Sequence, residues 1–450
     1  MKNSLRLFAA ILISFIACVF FAVNVFAADE VIHLKVFYVG HRAEQFEPFL
    51  KSHFSEVQSV TRGDFKPAQS RDFDVVLLDW PQSGNMRGAW LDGSPLGPRE
   101  AWDKPTVLLG SAGLNLAVAW KLYGGSGCTC LAPVAYAITN HEIFNSPMKV
   151  DLGAETNIPT PEQFMGELKT NNITVLPLVD NIRDYRTVIH DHRPGWSTHY
   201  YEFANMPEVE AFCGGINEQT PRSRAFWRDG DLLHFGFEQS PTEMNANGRA
   251  MLVNAIVYIS HFTEDRPIGI TPSVFGPDKI AVTRKRALNY LASYPREVPN
   301  IFSTNALAMF DWQNPTNARA WFESQKSWIH PNAENDLEID LQAKSLGVVF
   351  DSPDFFPKTI AALRQEKTAA AAATLLAHYV SDGPGANADA DGWQKWWQEN
   401  SPYLFYSELG GYHWYVDPLA KKRGIPTAQL RGPARADIFN NSPASVRARL

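Results

Sequence analysis

Runs of like charge are missing from this chain. No stretch of lysine and arginine exceeds three residues, and the formal net charge is −7 over 450 residues. A nucleic-acid partner needs a basic face, so no nucleic acid is expected. The mild, scattered acidity serves solubility. Cysteine is scarce as well. Past the N-terminal apolar stretch only Cys128, Cys130 and Cys213 remain, an odd number that permits one bridge at most. Cys128-Thr129-Cys130 is too close for an ordinary bridge within itself. The alternatives are one of these two paired with Cys213, or three unpaired thiols packed as small hydrophobes. No repeat of fixed period stands out. Apolar residues, by contrast, are plentiful: 45% hydrophobic and 12% aromatic. That is enough for large cores and argues against disorder. The length allows two or three domains.

The N-terminus carries a targeting pattern. Lys2 and Arg6 form a positive start, Leu7 to Val23 is almost unbroken apolar sequence, and Val25-Phe26-Ala27 precedes Ala28-Asp29. This order predicts a secretory signal peptide over 1–27 and a secreted or periplasmic protein with no membrane segment after cleavage. The alternative is an N-terminal membrane anchor, because the run approaches the roughly 20 residues that a span needs.

Strand and helix patterns then alternate. Val31–Val39 is β-rich and stops at Gly40-His41, and a helix is expected over Ala43–Phe54. Phe73–Asp79 and Pro105–Leu109 are apolar runs of the kind buried on both faces of a sheet. The second stops at Gly110-Ser111-Ala112-Gly113, ahead of a helix expected over 114–122. Leu232–Glu238 reads as a last core strand and 241–262 as its closing helix. This alternation predicts an α/β domain with a doubly wound, mainly parallel, flavodoxin-like sheet over 28–265. Residues 124–230 are less regular and suit an antiparallel extension. A Pro/Gly-punctuated linker follows at 266–278. A mainly α-helical domain is expected over 279–435, with a loose tail at 436–450.

Several constellations could carry chemistry. The turn at 110–113 sits where α/β folds place a nucleophile, and Ser111 is the hydroxyl there. A tight turn that needs glycine for packing explains the same residues. His190-Asp191-His192, with His199 beyond, is the densest ligand-capable cluster and could hold a divalent metal; Trp196 offers an apolar platform for a sugar. A polar surface loop accounts for these residues equally well. Asn387–Gly392 imitates the start of a calcium loop, but its twelfth position is Gln398, so a helix linker capped by Asp391 is the reading. Trp393, Trp396 and Trp397 share helical spacing and fit a core stripe. Glu408, His413 and Asp417 flank the Gly410-Gly411 turn of an expected hairpin.

His234-Phe235-Gly236-Phe237-Glu238 carries a family resemblance. Residues 31–265 resemble the class I glutamine amidotransferase-like fold, and within it the trehalose-utilisation-protein-like (ThuA-like) branch. Glutaminases of that family carry Gln-Phe-His-Pro-Glu on the final strand, with His and Glu completing a Cys-His-Glu triad. Phe235 and Glu238 match. Gly236 replaces the histidine, and the turn with Ser111 or Ala112 replaces the cysteine. Without thiolate or base that acyl transfer cannot run. The resemblance implies a small-molecule or carbohydrate-type ligand at the carboxyl ends of the strands, where His41, Trp80, His141, His234 and Glu238 would form the rim. A hydrolase or lyase using Ser111 or a histidine-bound metal, and a non-catalytic interaction protein, are the other expectations.

Overall fold

The computed structural model describes residues 31–81, 93–123, 127–185, 191–199, 206–274 and 279–428. The apolar leader, His190 and the tail from 429 lie outside these residues. Among the described residues no helix is long and apolar enough to cross a membrane.

The first half follows the apolar pattern. β1 (Ile32–Val39) leads through α1 (Ala43–His53) to β2 (Phe54–Val60), then to β3 (Val75–Asp79) and β4 (Thr106–Leu109). Every residue of β3 and β4 is buried, as a strand covered on both faces requires. α2 (Ala112–Ala119) follows β4 directly. Next come β5 (Gly127–Leu131), β6 (Val134–Tyr136), β7 (Thr156–Pro159), α3 (Glu162–Leu168), β8 (Asn172–Pro177), β9 (Gly195–His199), β10 (Val209–Gly215), β11 (Ser223–Asp229), β12 (Leu232–Phe235) and α4 (Ala246–Ile259).

These strands form one twelve-stranded sheet in the order β2-β1-β3-β4-β12-β11-β10-β6-β8-β7, with β9 paired to β11 and β5. From β2 to β12 the pairing is parallel, and its order matches the 2-1-3-4-5 of flavodoxin-like folds. Beyond β12 the sheet turns antiparallel. Helices cover both faces of the parallel part. α1 and α4 pack on Val36, Tyr38, Leu77, Val107 and Phe235; α2 packs on Phe37, Val76, Leu78 and Leu108. Alternate residues of each strand therefore serve opposite cores.

Some boundaries differ from the sequence pattern. The closing helix starts at Ala246 rather than at 241, because the Asn245 side chain accepts the Gly248 N–H at 3.1 Å and caps it there. Cys128 and Cys130 are bonded to each other, and Cys213 is the buried free thiol, contrary to the expected pairing. Side chains two apart on a strand share a face, and an irregularity in β5 between Cys128 and Leu131 brings the two Cα atoms to 5.3 Å. That lies within disulfide reach.

The second half is mainly helical. It contains α5 (Arg284–Ser293), α6 (Thr304–Leu307), α7 (Pro315–Gln325), the pair β13 (Ile329–Pro331) and β14 (Leu337–Ile339), α8 (Leu341–Ser345), α9 (Phe355–Leu363), α10 (Ala369–Tyr379) and α11 (Ala390–Asn400). The hairpin β15 (Leu404–Ser407) and β16 (His413–Val416) precedes α12 (Pro418–Arg423). Its core holds Phe302, Phe322, Phe350, Phe355, Tyr379 and Trp393. α12 returns to the first half: Leu419 joins the core under α4, and Lys422 pairs with Glu264.

Candidate functional site

β1, β3 and β12 are parallel, so their carboxyl ends meet. Asp79 ends β3, Arg42 stands just before α1, and Glu238 lies three residues past β12. The guanidinium of Arg42 grips Asp79 twice, Nε to Oδ2 at 2.9 Å and Nη2 to Oδ1 at 2.5 Å. Its Nη1 donates to the Glu238 carbonyl at 2.7 Å, and Nη2 reaches Glu238 Oε1 at 3.3 Å. Tyr38 donates its hydroxyl to Asp79 Oδ2 at 2.5 Å. The other carboxylate oxygen, Glu238 Oε2, accepts the Ser111 backbone N–H at 3.0 Å. All five residues are buried, Glu238 to 2% exposure.

One guanidinium here faces two carboxyls. Burial works against the charge of Arg42, but the bonds from Asp79 outweigh it and hold the proton more firmly. Burial dominates at Glu238 and pushes its carboxyl from 4.5 up to about 7, with Arg42 and the Ser111 amide pulling the other way. A carboxyl near 7 suits proton transfer. Both its oxygens, however, are engaged within the protein.

The turn above β4 explains why. Gly110, not Ser111, holds the left-handed position, with φ of +50°. A Cβ at Gly110 would run into Glu238 Oε2. Ser111 has ordinary helical angles (φ −69°, ψ −8°) and opens α2. In acyl-transfer turns of this shape the amide after the nucleophile holds the oxyanion. Here the carboxylate of Glu238 occupies the amide of the turn. Ser111 Oγ is fully buried, and the carboxyl beside it, Glu238, is already engaged by the Ser111 amide and Arg42. The hydroxyl expected to serve as a nucleophile is thus closed off from solvent.

Gly236 is equally constrained. Its N–H donates to Ala225 O and its carbonyl accepts from Trp196 N, both at 2.8 Å. A Cβ there would meet Ala225 O at 2.6 Å and run into Trp196 O. β9 has closed over the place where the resemblance puts a histidine.

His234 lies in β12, between β4 and β11. It pairs across strands with Trp227, their rings stacked at 3.9 Å and 6°, and Trp196 lies at 5.6 Å. Both imidazole nitrogens are buried without partners. Burial alone pulls the group from 6.5 down to about 3, so the ring is neutral. Because the folded value lies below the unfolded one, His234 contributes stability that is complete above pH 6.5 and is lost as pH falls toward 3. His234→Phe keeps the stack and removes that loss. Urea unfolding at pH 7.5, 6 and 5 should show the variant gaining on the wild type by roughly 1.4 kcal/mol per unit below pH 6.5. Equal slopes would contradict the buried neutral imidazole.

The remaining expected site residues do not converge there. His41 is exposed beside Gly40 at the rim. Trp80 and Trp196 are core residues, 2% and 0% exposed, and present no free face to a ligand. His141 lies at the other end of the sheet. β6 runs antiparallel to β10, so its carboxyl end faces the amino ends of the parallel strands. His192 precedes β9 in a bend, and His199 ends β9 opposite Ser223; the two do not share a strand. His190 lies outside the described residues. Among the described residues no group of three His, Cys, Asp or Glu is arranged to hold a metal. In the second half, Asp389 rather than Asp391 caps α11, accepting the Gly392 N–H at 2.8 Å. Trp393 is core, Glu408 receives Arg284 at 2.7 Å, and Asp417 caps α12.

The amino-end cleft was not anticipated, apart from His141. It has a volume of about 540 Å³ and lies among the 140–146 turn, the start of β10, the end of α4, and α12. Glu210, Arg228, Tyr258, His261 and Arg423 line it with His141. The pattern hint was Arg228 directly after the apolar run Ala225-Phe226-Trp227. Arg42 and Asp79 were also missed; the hint was an acid closing each of two core strands, Asp79 and Glu238.

The strand order defines an α/β protein with a flavodoxin-like parallel half and an antiparallel extension. No model of a known protein family matches the sequence, and no curated protein does. Among solved structures, a Thermoplasma acidophilum protein assigned as a GMP synthase subunit is similar at 11% identity and a TM-score of 0.30, covering 52% of this chain and 97% of that one. At that TM-score the likeness carries no argument, and the fold assignment rests on the strand order.

Proposed function

We propose that this chain is a ThuA-like, secreted or periplasmic protein that binds a carbohydrate-type ligand and has no glutaminase activity. The observation that carries the second half of this reading is the engagement of Glu238. Its carboxylate is held by the Ser111 amide and the Arg42 guanidinium, so the turn amide and the cation beside it are already engaged within the protein. Gly236 leaves no room for a base. Phe235 and Glu238 support the ancestry. The bonded pair Cys128–Cys130 and the leader pattern support export.

The mature chain should begin at Ala28, as intact mass would show. It should release no ammonia from glutamine. A thermal-shift panel of sugars and sugar acids should raise its melting temperature, since a ligand that binds only the folded state stabilises it. A flat response across the panel would leave a non-catalytic interaction protein as the reading. Glutamine turnover, lost in Ser111→Ala, would overturn the reading outright.

A further inference from the structure

The amino-end cleft is built rather than incidental. Its floor is Arg228, whose side chain is 2% exposed. Nε donates to Glu210 Oε2 at 2.5 Å, and Nη1 donates to Asp265 Oδ2 at 2.7 Å and to Gly230 O at 2.6 Å. Tyr258 donates its hydroxyl to the same Glu210 oxygen at 2.9 Å. The guanidinium lies on the Phe262 ring, 3.8 Å from its centre. These bonds fix a cation and an anion side by side. They use neither Nη2 of Arg228 nor Oε1 of Glu210, which make no hydrogen bond to any described residue. A rigid donor and a rigid acceptor, both lining the cleft, are therefore available together.

The cleft carries no excess of positive charge. Arg228 and Arg423 stand against Glu142 and Glu210, Asp265 is bonded to Arg228 from behind, and burial pulls His141 below its usual range, toward the neutral ring. Such a lining has no surplus cation to hold an ionised acid. It does offer paired donors and acceptors, and a hydroxyl both donates and accepts. Ile143, Val257 and Leu419 supply an apolar wall. The size falls within the range for small-molecule sites, which favour domain boundaries. This cleft lies where α12 of the second half meets the first.

We infer that this cleft binds a neutral mono- or disaccharide, with Glu210 and Arg228 clamping adjacent hydroxyls and Arg423 closing the open side. The inference rests on the carbohydrate reading above and adds to it the place and the charge of the ligand. It is tested by titration calorimetry on the full mature chain with glucose, galactose, mannose, maltose and glucuronate. One neutral sugar should bind, and Glu210→Gln and Arg423→Ala should each weaken it at least about tenfold. Arg423 is exposed and its loss leaves the buried network intact, so a folding defect in Glu210→Gln does not blunt the test. Unchanged affinity in both variants, or a loss in His41→Ala instead, would overturn the site and leave the carbohydrate reading standing. Binding of glucuronate alone would overturn the neutral ligand. No binding of any of these saccharides to the wild type would overturn the site together with the reading on which it rests.

Discussion

Gly236→Ala should destabilise the first half of the chain by about 3 kcal/mol or more. The added methyl has nowhere to go. It would meet Ala225 O at 2.6 Å on one side and run into Trp196 O on the other. Both obstacles are backbone, so no side chain can swing aside. Relief requires β9 or β11 to retreat, and either retreat breaks a 2.8 Å hydrogen bond made by Gly236 itself. For a unit of this size the melting temperature should fall by roughly 6–12 °C. Thermal unfolding followed by circular dichroism measures it. A melting temperature within a degree or two of wild type would mean that β9 does not lie against this residue. Gly236→His should fare worse still. Adding the missing base by substitution therefore removes the fold before it restores any chemistry.

What the sequence disclosed follows from how local each feature is. β3 and β4 were legible because short, uninterrupted apolar runs closed by charge or glycine have few other uses. The flavodoxin-like order followed from the alternation of such runs with helices. The antiparallel half was less legible. β6 is three residues long, and nothing within three residues tells its direction, which is why His141 was expected at the wrong end of the sheet. The clamp was illegible for a different reason. Arg42 and Glu238 are 196 positions apart, and their meeting depends on two strands sharing a direction. Glu238 was singled out through the motif of the resembled family. The same motif could not show that Gly110 lets its carboxylate enter the turn. Trp196 and Trp80 looked like ligand platforms because aromatic side chains serve cores and binding sites alike. Burial alone separates the two uses.

Arg42→Met should be the most costly change among the charged residues of the carboxyl-end site, and its cost should depend on pH. Arg42 is the only cation bonded to Asp79 and Glu238 among the described residues. Removing one partner of a buried ion pair typically costs about 3–5 kcal/mol, because the partner keeps its desolvation penalty. Methionine fills similar volume, so packing changes little. The sign of the pH effect follows from Glu238. Its folded value, about 7, lies above the unfolded 4.5. Its contribution to stability is thus complete below pH 4.5 and is lost as pH rises through 7. Without Arg42 that carboxyl is pushed higher still, and the loss deepens on the alkaline side. The defect of Arg42→Met should therefore be modest at pH 5, where a proton can replace the guanidinium, and reach its full size at pH 8. Adding Glu238→Gln should return part of it at pH 8 and little at pH 5. Urea unfolding of wild type, Arg42→Met and the double variant at both pH values decides the matter. A defect that shrinks as pH rises would show that Arg42 acts through packing, and that the clamp is not what holds Glu238 in the turn.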